Sequence, residues 1–135
     1  MRFDIFTLRM KMYQNLLDTK IELEDEIDFL CYHYCGVKAI SYDRETIINS
    51  HKPDEKLMIL SEKLEQPQRE LDFVNNAIKQ IKPLVDECLD KLPDDIKRAT
   101  QMLFFEKMTY HEVGKEFGYS DNGMWHKIRR EVEKI

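Results

Sequence analysis

The chain has 135 residues, of which 42% are apolar and 35% charged, and its formal net charge is −5. This length and balance suit one compact domain, or a small domain with a helical extension, and they exclude a largely disordered protein. Its 4 Gly and 4 Pro are few for an all-β chain, which needs many tight turns. The composition favours an all-α fold.

The sequence also limits where the protein works. No apolar run approaches the roughly 20 residues that cross a bilayer, and the amino-terminal stretch lacks the apolar core and cleavage site of a secretory signal. The 3 Cys are an odd number, which excludes a complete set of internal disulfides. We therefore expect a cytoplasmic protein with no membrane partner.

The first third of the chain predicts one long helix, from about Asp4 to Tyr34, that ends at Gly36. Its apolar positions alternate steps of three and four residues, which is the heptad pattern of a helix packed lengthwise on another. These seam positions are Tyr13, Leu16, Lys20, Leu23, Ile27, Leu30 and Tyr34.

A connector from Gly36 to Pro53 precedes a second long helix, with Pro53 in its first turn. The same spacing resumes at Leu57, Leu60, Leu64, Pro67, Leu71, Val74, Ile78, Ile81, Val85, Cys88 and Leu92. Pro67 and Pro83 each remove a backbone hydrogen bond, so we expect a kink or a split, with a bend near Pro67. Residues 1–92 thus predict a coiled-coil-like helical hairpin arm.

Residues 93–135 predict a separate domain of three shorter helices, because Pro93, Asp94 and Asp95 mark a helix start. The first helix runs to about Glu106, the second spans Thr109–Phe117 and the third spans Asp121–Lys134.

The last two of these helices have the features of a helix-turn-helix. Thr109 and Glu112 have the spacing of a capping box, and Gly118 permits the positive φ of a tight turn. Gly114 is small enough for a close helix crossing. Ser120 can cap the final helix, whose apolar side is formed by Met124, Ile128, Val132 and Ile135.

The opposite side of the final helix suits the major groove of DNA. Asn122 is a candidate partner for adenine, and Arg129 for guanine or phosphate, while Gly123 adds flexibility in the first turn. Trp125 is either part of the core or a base contact, and His126 either a contact or a solvated surface residue. The candidate DNA-binding residues are Ser120, Asn122, Gly123, Trp125, His126, Lys127, Arg129 and Arg130.

The segment LPDDIKRATQMLFFEKMTYHEVGKEFGYS, followed by a basic helix, resembles region four of sigma factors, the domain that reads promoters. The whole chain is similar to small phage-encoded regulators of the ArpU and RinA type. That resemblance implies a sequence-specific transcription regulator that activates late genes from a phage or prophage. The chain departs from the sigma pattern in its less basic recognition helix, in Trp125, and in Gly114 where alanine is more common.

The charge distribution sets the expected partners. Residues 93–135 contain eight Lys and Arg and eight Asp and Glu, so the net charge of −5 resides in residues 1–92. A neutral domain binds double-stranded DNA weakly as a monomer, which favours a homodimer. The acidic arm is expected to contact itself or RNA polymerase. The rival hypothesis is a helical interaction module that inhibits or remodels a host factor, including by DNA mimicry, with a degenerate helix-turn-helix.

Catalytic and metal chemistry have little support in the sequence. Cys31 and Cys35 lie one helical turn apart, with His51 further on, but structural zinc needs about four ligands in paired short spacings. Phosphate-binding loops, nucleophile elbows and zinc-binding helices are lacking. We expect a protein that is not an enzyme, with no metal, no cofactor and no small-molecule substrate.

Overall fold

The computed structural model describes residues 1–35 and 53–135. Within these ranges the chain is all-α, which confirms the predicted class. The helices are α1 (Phe3–Cys35), α2 (Pro53–Asp90), α3 (Asp94–Phe104), α4 (Tyr110–Phe117) and α5 (Asp121–Glu133). The predicted connector, with Gly36, lies outside the described residues, except for Pro53, which begins α2 as expected.

The predicted heptad seam is the shielded side of both long helices. Every seam position predicted on α1 is buried or half-buried. The same holds on α2, and at Leu92 just beyond its end, for all positions except Leu57, which is 42% exposed. Burial of apolar side chains at this spacing stabilises two helices that face each other. The helix period was therefore predicted correctly from the sequence.

The prolines of α2 do not divide it. The helix is continuous from Pro53 to Asp90, through Pro67 and Pro83, so the alternative of a split helix is wrong. Pro67 is itself buried on the seam, between the shielded residues Leu64 and Leu71. Burial of apolar surface at this position contributes stability that opposes the loss of one backbone hydrogen bond.

The chain divides into two compact units. Unit 1 comprises Met1–Leu16 together with Ile78–Ile135, and unit 2 comprises Leu17–Ala77. The predicted boundary between residues 92 and 93 falls inside unit 1. The three carboxy-terminal helices therefore share a compact unit with the start of α1 and the end of α2.

Unit 1 has one continuous apolar core. Phe6 and Met10 of α1 and Val85 and Leu89 of α2 pack with the apolar sides of the three shorter helices. Met124, Ile128 and Val132 of α5 are completely buried in this core. Because residues far apart in the sequence fill the same interior, the carboxy-terminal helices depend on both long helices for their packing.

Unit 2 has a smaller interior. Leu23, Leu60, Pro67 and Val74 are its buried apolar residues among those described. A cavity of about 340 Å³ lies between α1 and α2, lined by Thr19, Leu23, Arg69, Glu70, Phe73 and Val74. The two long helices thus face each other in unit 2.

Candidate nucleic-acid interface

The start of α4 is capped by the residue predicted from the sequence. The Thr109 hydroxyl oxygen accepts a hydrogen bond from the Glu112 backbone N–H at 3.2 Å. The same hydroxyl lies 3.1 Å from Glu112 Oε1, to which it donates. This cap fixes the first turn of α4, whose apolar residue Val113 is completely buried.

A turn of three residues joins α4 to α5. Gly118 has a φ of 78°, in the left-handed region that favours glycine. The Tyr119 N–H then donates to the Gly114 carbonyl oxygen at 2.8 Å. The Ser120 hydroxyl caps α5 by accepting from the Gly123 N–H at 3.1 Å. These contacts give the helix, turn and helix that the sequence predicts.

Gly114 is needed for the turn rather than for a crossing helix. A Cβ atom at this position would lie 2.6 Å from the Tyr119 carbonyl oxygen, well inside van der Waals contact. A Cβ at Gly123 would meet the capping Ser120 Oγ at 2.9 Å. Both glycines therefore let neighbouring groups approach more closely than alanine would allow.

Helix α5 places its candidate residues on different sides. Ser120, Asn122, His126, Arg129 and Arg130 are exposed. Gly123, Trp125 and Lys127 are half-buried. With about 100° between successive residues, His126 and Arg130 lie roughly opposite the buried side of the helix. The exposed residues therefore form one continuous strip along α5.

The bases of α5 differ in how they are paired. Arg129 Nε donates to Glu133 Oε1 at 2.9 Å, and its guanidinium carbon lies 5.1 Å from the centre of the Trp125 ring. Lys127 and Lys134 both contact the Glu131 carboxylate, at 3.5 and 3.1 Å. Arg130 forms no ion pair with any residue that the structure describes. It is thus the α5 base most available to a ligand.

Two ionisable groups near the interface have altered pKa values. The Lys134 ammonium, which donates to the Glu131 carboxylate, holds the pKa of Glu131 below its usual 4.5, and Lys127 adds to the effect. Burial raises the pKa of the Tyr110 phenol. Glu131 is therefore a carboxylate and Tyr110 a neutral phenol at neutral pH.

An open cleft of about 580 Å³ lies between α4 and the first turns of α5. It is lined by Tyr110, Asp121, Asn122, Trp125 and His126. His111 Nδ1 and Asp121 Oδ1, 3.0 Å apart, connect the two helices beside it. The cleft brings the amide of Asn122 and the imidazole of His126 together at one surface.

The start of α1 flanks α5, which was not predicted from the sequence. The Phe3 and Trp125 rings meet edge to face, with their centroids 5.9 Å apart. The Met1 amino group also donates to the Ile135 carbonyl oxygen. The spacing of Phe3, Phe6 and Met10, in steps of three and four, extends the apolar side of α1 towards the amino terminus but does not identify α5 as its partner. Trp125 is consequently partly covered by α1.

In the ranges 1–35 and 53–135, His, Cys, Asp and Glu side chains form no group of three or more that could hold a metal ion. The helices described there include none with the length and apolar character needed to cross a membrane. His51, one of the residues considered for a metal site, lies outside the described residues.

No family model, no curated protein and no solved structure matches the chain.

Proposed function

We propose that the chain binds double-stranded DNA through α5 and acts as a sequence-specific transcription regulator. The observation that carries this proposal is the two-sided character of α5. Met124, Ile128 and Val132 are completely buried, while Asn122, His126 and Arg130 face solvent. A helix held in this way, after a short turn, fits the major groove with its exposed side towards the base edges.

The exposed side chains suggest individual roles. Asn122, in the first turn of α5, has an amide that can pair with adenine. Arg129 and Arg130 are better suited to phosphate, which receives half or more of the hydrogen bonds in protein–DNA complexes. Ser120 acts by capping the helix. Trp125 helps to hold the Arg129 side chain in place through a cation–π contact, since the guanidinium lies over its ring.

The charge balance favours binding as a homodimer. Residues 93–135 carry equal numbers of acidic and basic side chains, so one copy releases few counterions from DNA. Two copies double the number of phosphate contacts. In this proposal residues 1–92 contact a second copy or RNA polymerase, and the protein serves a phage or prophage in the bacterial cytoplasm, as the resemblance to late-gene activators implies.

The test is fluorescence anisotropy with labelled random DNA fragments across a range of salt concentrations. The wild-type chain is expected to bind at low salt and to lose affinity as salt rises. The double variant Arg129→Ala/Arg130→Ala is expected to bind roughly 10- to 100-fold more weakly, with a log–log salt slope smaller by about 2.

The matched control is Lys79→Ala/Lys82→Ala, which removes the same charge from exposed positions of α2. It is expected to change the affinity much less than the arginine variant. Equal losses from both variants would mean that only net charge matters and would contradict recognition by α5. Absence of binding by the wild-type chain at low salt would contradict DNA binding altogether.

One observation favours the rival hypothesis of a protein-interaction module. Three of the bases on or next to α5, Lys127, Arg129 and Lys134, already contact carboxylates of the same helix. Such pairing reduces the positive potential that DNA requires. If the wild-type chain does not bind DNA but binds a host protein through the exposed strip of α5, the protein-interaction hypothesis is supported.

A further inference from the structure

We propose that the DNA-contacting surface continues from α5 onto α1, where the Lys11 ammonium contacts a backbone phosphate. This inference rests on the proposed function. It assigns a contact to a helix that the sequence places in the protein-binding arm.

The position of Lys11 follows from two adjoining clefts of unit 1. The first, of about 410 Å³, is lined by Lys11 together with Trp125 and Arg129 of α5. The second, of about 530 Å³, is lined by Lys11 together with Trp125 and with Thr109 and Tyr110 at the start of α4. Lys11 therefore lies beside both helices of the helix-turn-helix.

The charge of Lys11 is available for a ligand. Its side chain is exposed and forms no ion pair with the residues in the ranges 1–35 and 53–135. Asp4 is the carboxylate that lines the first cleft, and it contacts Arg2 at 3.4 Å. Arg129, the other cation of this cleft, is paired with Glu133. Lys11 is thus the unpaired cation on this flank of α5.

The proposed Lys11 contact requires α5 to lie in a major groove. The groove is about 12 Å wide, with a phosphate backbone along each edge. Trp125 and Arg130 are five residues apart, which places them about 140° apart around the helix axis. With α5 in the groove, the proposal therefore assigns Arg130 to one edge and Lys11, next to Trp125, to the other. The start of α4 beside Lys11 adds the positive end of a helix dipole, which also favours an anion.

The experiment compares Lys11→Ala with Lys79→Ala, a control that removes one exposed lysine of α2, by anisotropy across salt concentrations. Lys11→Ala is expected to weaken binding 3- to 10-fold near 0.1 M salt and to reduce the log–log salt slope by about 0.9. Lys11→Arg is expected to retain the wild-type slope, because the charge remains. Thermal melting of each variant checks that the fold is unchanged.

A second readout comes from Trp125, the single tryptophan of the chain. DNA is expected to shield Trp125 from quenching by iodide, and less so in Lys11→Ala. If Arg130→Ala weakens binding while Lys11→Ala and Lys79→Ala behave alike, the Lys11 contact is overturned and the proposed function stands. If the wild-type chain does not bind DNA, the proposed function itself fails.

Discussion

Two residues outside the helices hold a positive φ in the described ranges: Gly118 at 78° and Lys107 at 57°. Glycine adopts this region freely, whereas an L residue with a side chain is strained there by about 1 kcal/mol. Gly118 was predicted from the sequence as the turn residue. Lys107 was not, because lysine carries no signal for a left-handed conformation.

Alanine substitutions at two glycines separate backbone strain from steric conflict. Gly118→Ala is expected to lower the free energy of unfolding by about 1 kcal/mol, because alanine is strained at the positive φ of this position. No steric conflict adds to this loss, since the Cβ would meet nothing within 4 Å. Gly114→Ala is expected to cost more, about 1–3 kcal/mol, because its Cβ would overlap the Tyr119 carbonyl oxygen. Urea denaturation measures both. A smaller loss for Gly114→Ala would contradict the tight approach of the turn.

The ion pairs of Glu131 predict a pH dependence. Its folded pKa is below 4.5, so its carboxylate stabilises the protein fully above that pH, and the stabilisation is lost as pH falls through the lowered folded value. Glu131→Gln removes this contribution. The melting temperatures of wild type and variant are expected to differ most above the usual pKa of 4.5 and to converge as the pH falls below the lowered folded pKa of Glu131. A constant difference across this range would contradict the ion-pair account.

At the scale of helices, the first turns of α1 carry the largest departure from expectation. The sequence places them in the arm, yet Phe6 and Met10 are completely buried in the core of unit 1. Ile5, Leu8 and Met12, on the same turns, are between 42% and 58% exposed. The first turns of α1 therefore contain two sets of apolar residues, one buried in the core and one exposed, which are equally apolar in the sequence.

A pair of truncations tests this assignment. Phe6→Ala is expected to lower the free energy of unfolding by about 3–5 kcal/mol, because it leaves a cavity in a core without solvent. Leu8→Ala, which also shortens an apolar side chain of α1, is expected to change it by less than about 1 kcal/mol. Chemical denaturation followed by circular dichroism provides both values. Comparable losses would show that the start of α1 is not part of the core.

In the molecule as a whole, the three carboxy-terminal helices share their core with both long helices. Its helices α3 to α5 pack on Phe6 and Met10 from one end of the chain and on Val85, Cys88 and Leu89 from the end of α2. A domain of about 40 residues rarely buries enough apolar surface to fold alone. The packing of these helices thus links DNA binding, as proposed, to the integrity of both long helices.

A fragment of residues 93–135 tests this dependence. Without α1 and α2 it is expected to show little helix by circular dichroism and no cooperative thermal transition, because Met124, Ile128 and Val132 would be exposed to water. The full chain, measured under the same conditions, is the control. A fragment that melts cooperatively at the temperature of the full chain would contradict the shared core.

Features that depend on local spacing could be predicted from the order of the amino acids alone. The heptad seam, the cap at Thr109, the turn at Gly118 and the buried side of α5 follow from the period of a helix and from the preferences of individual residues. The same reasoning identified Asn122, His126 and Arg130 as exposed, which the structure confirms. Their contact with DNA remains a prediction.

Which helices share a core could not be predicted in this way and is known from the folded chain. The boundary at residue 92 was placed on a proline and two acids, which mark a helix start but say nothing about packing between distant segments. Phe3 lies against Trp125, 122 positions away in the chain, and no local pattern encodes that contact. The reason is physical: burial is non-directional and rewards any apolar surface that fits, so the pairing of distant faces depends on their shape in three dimensions.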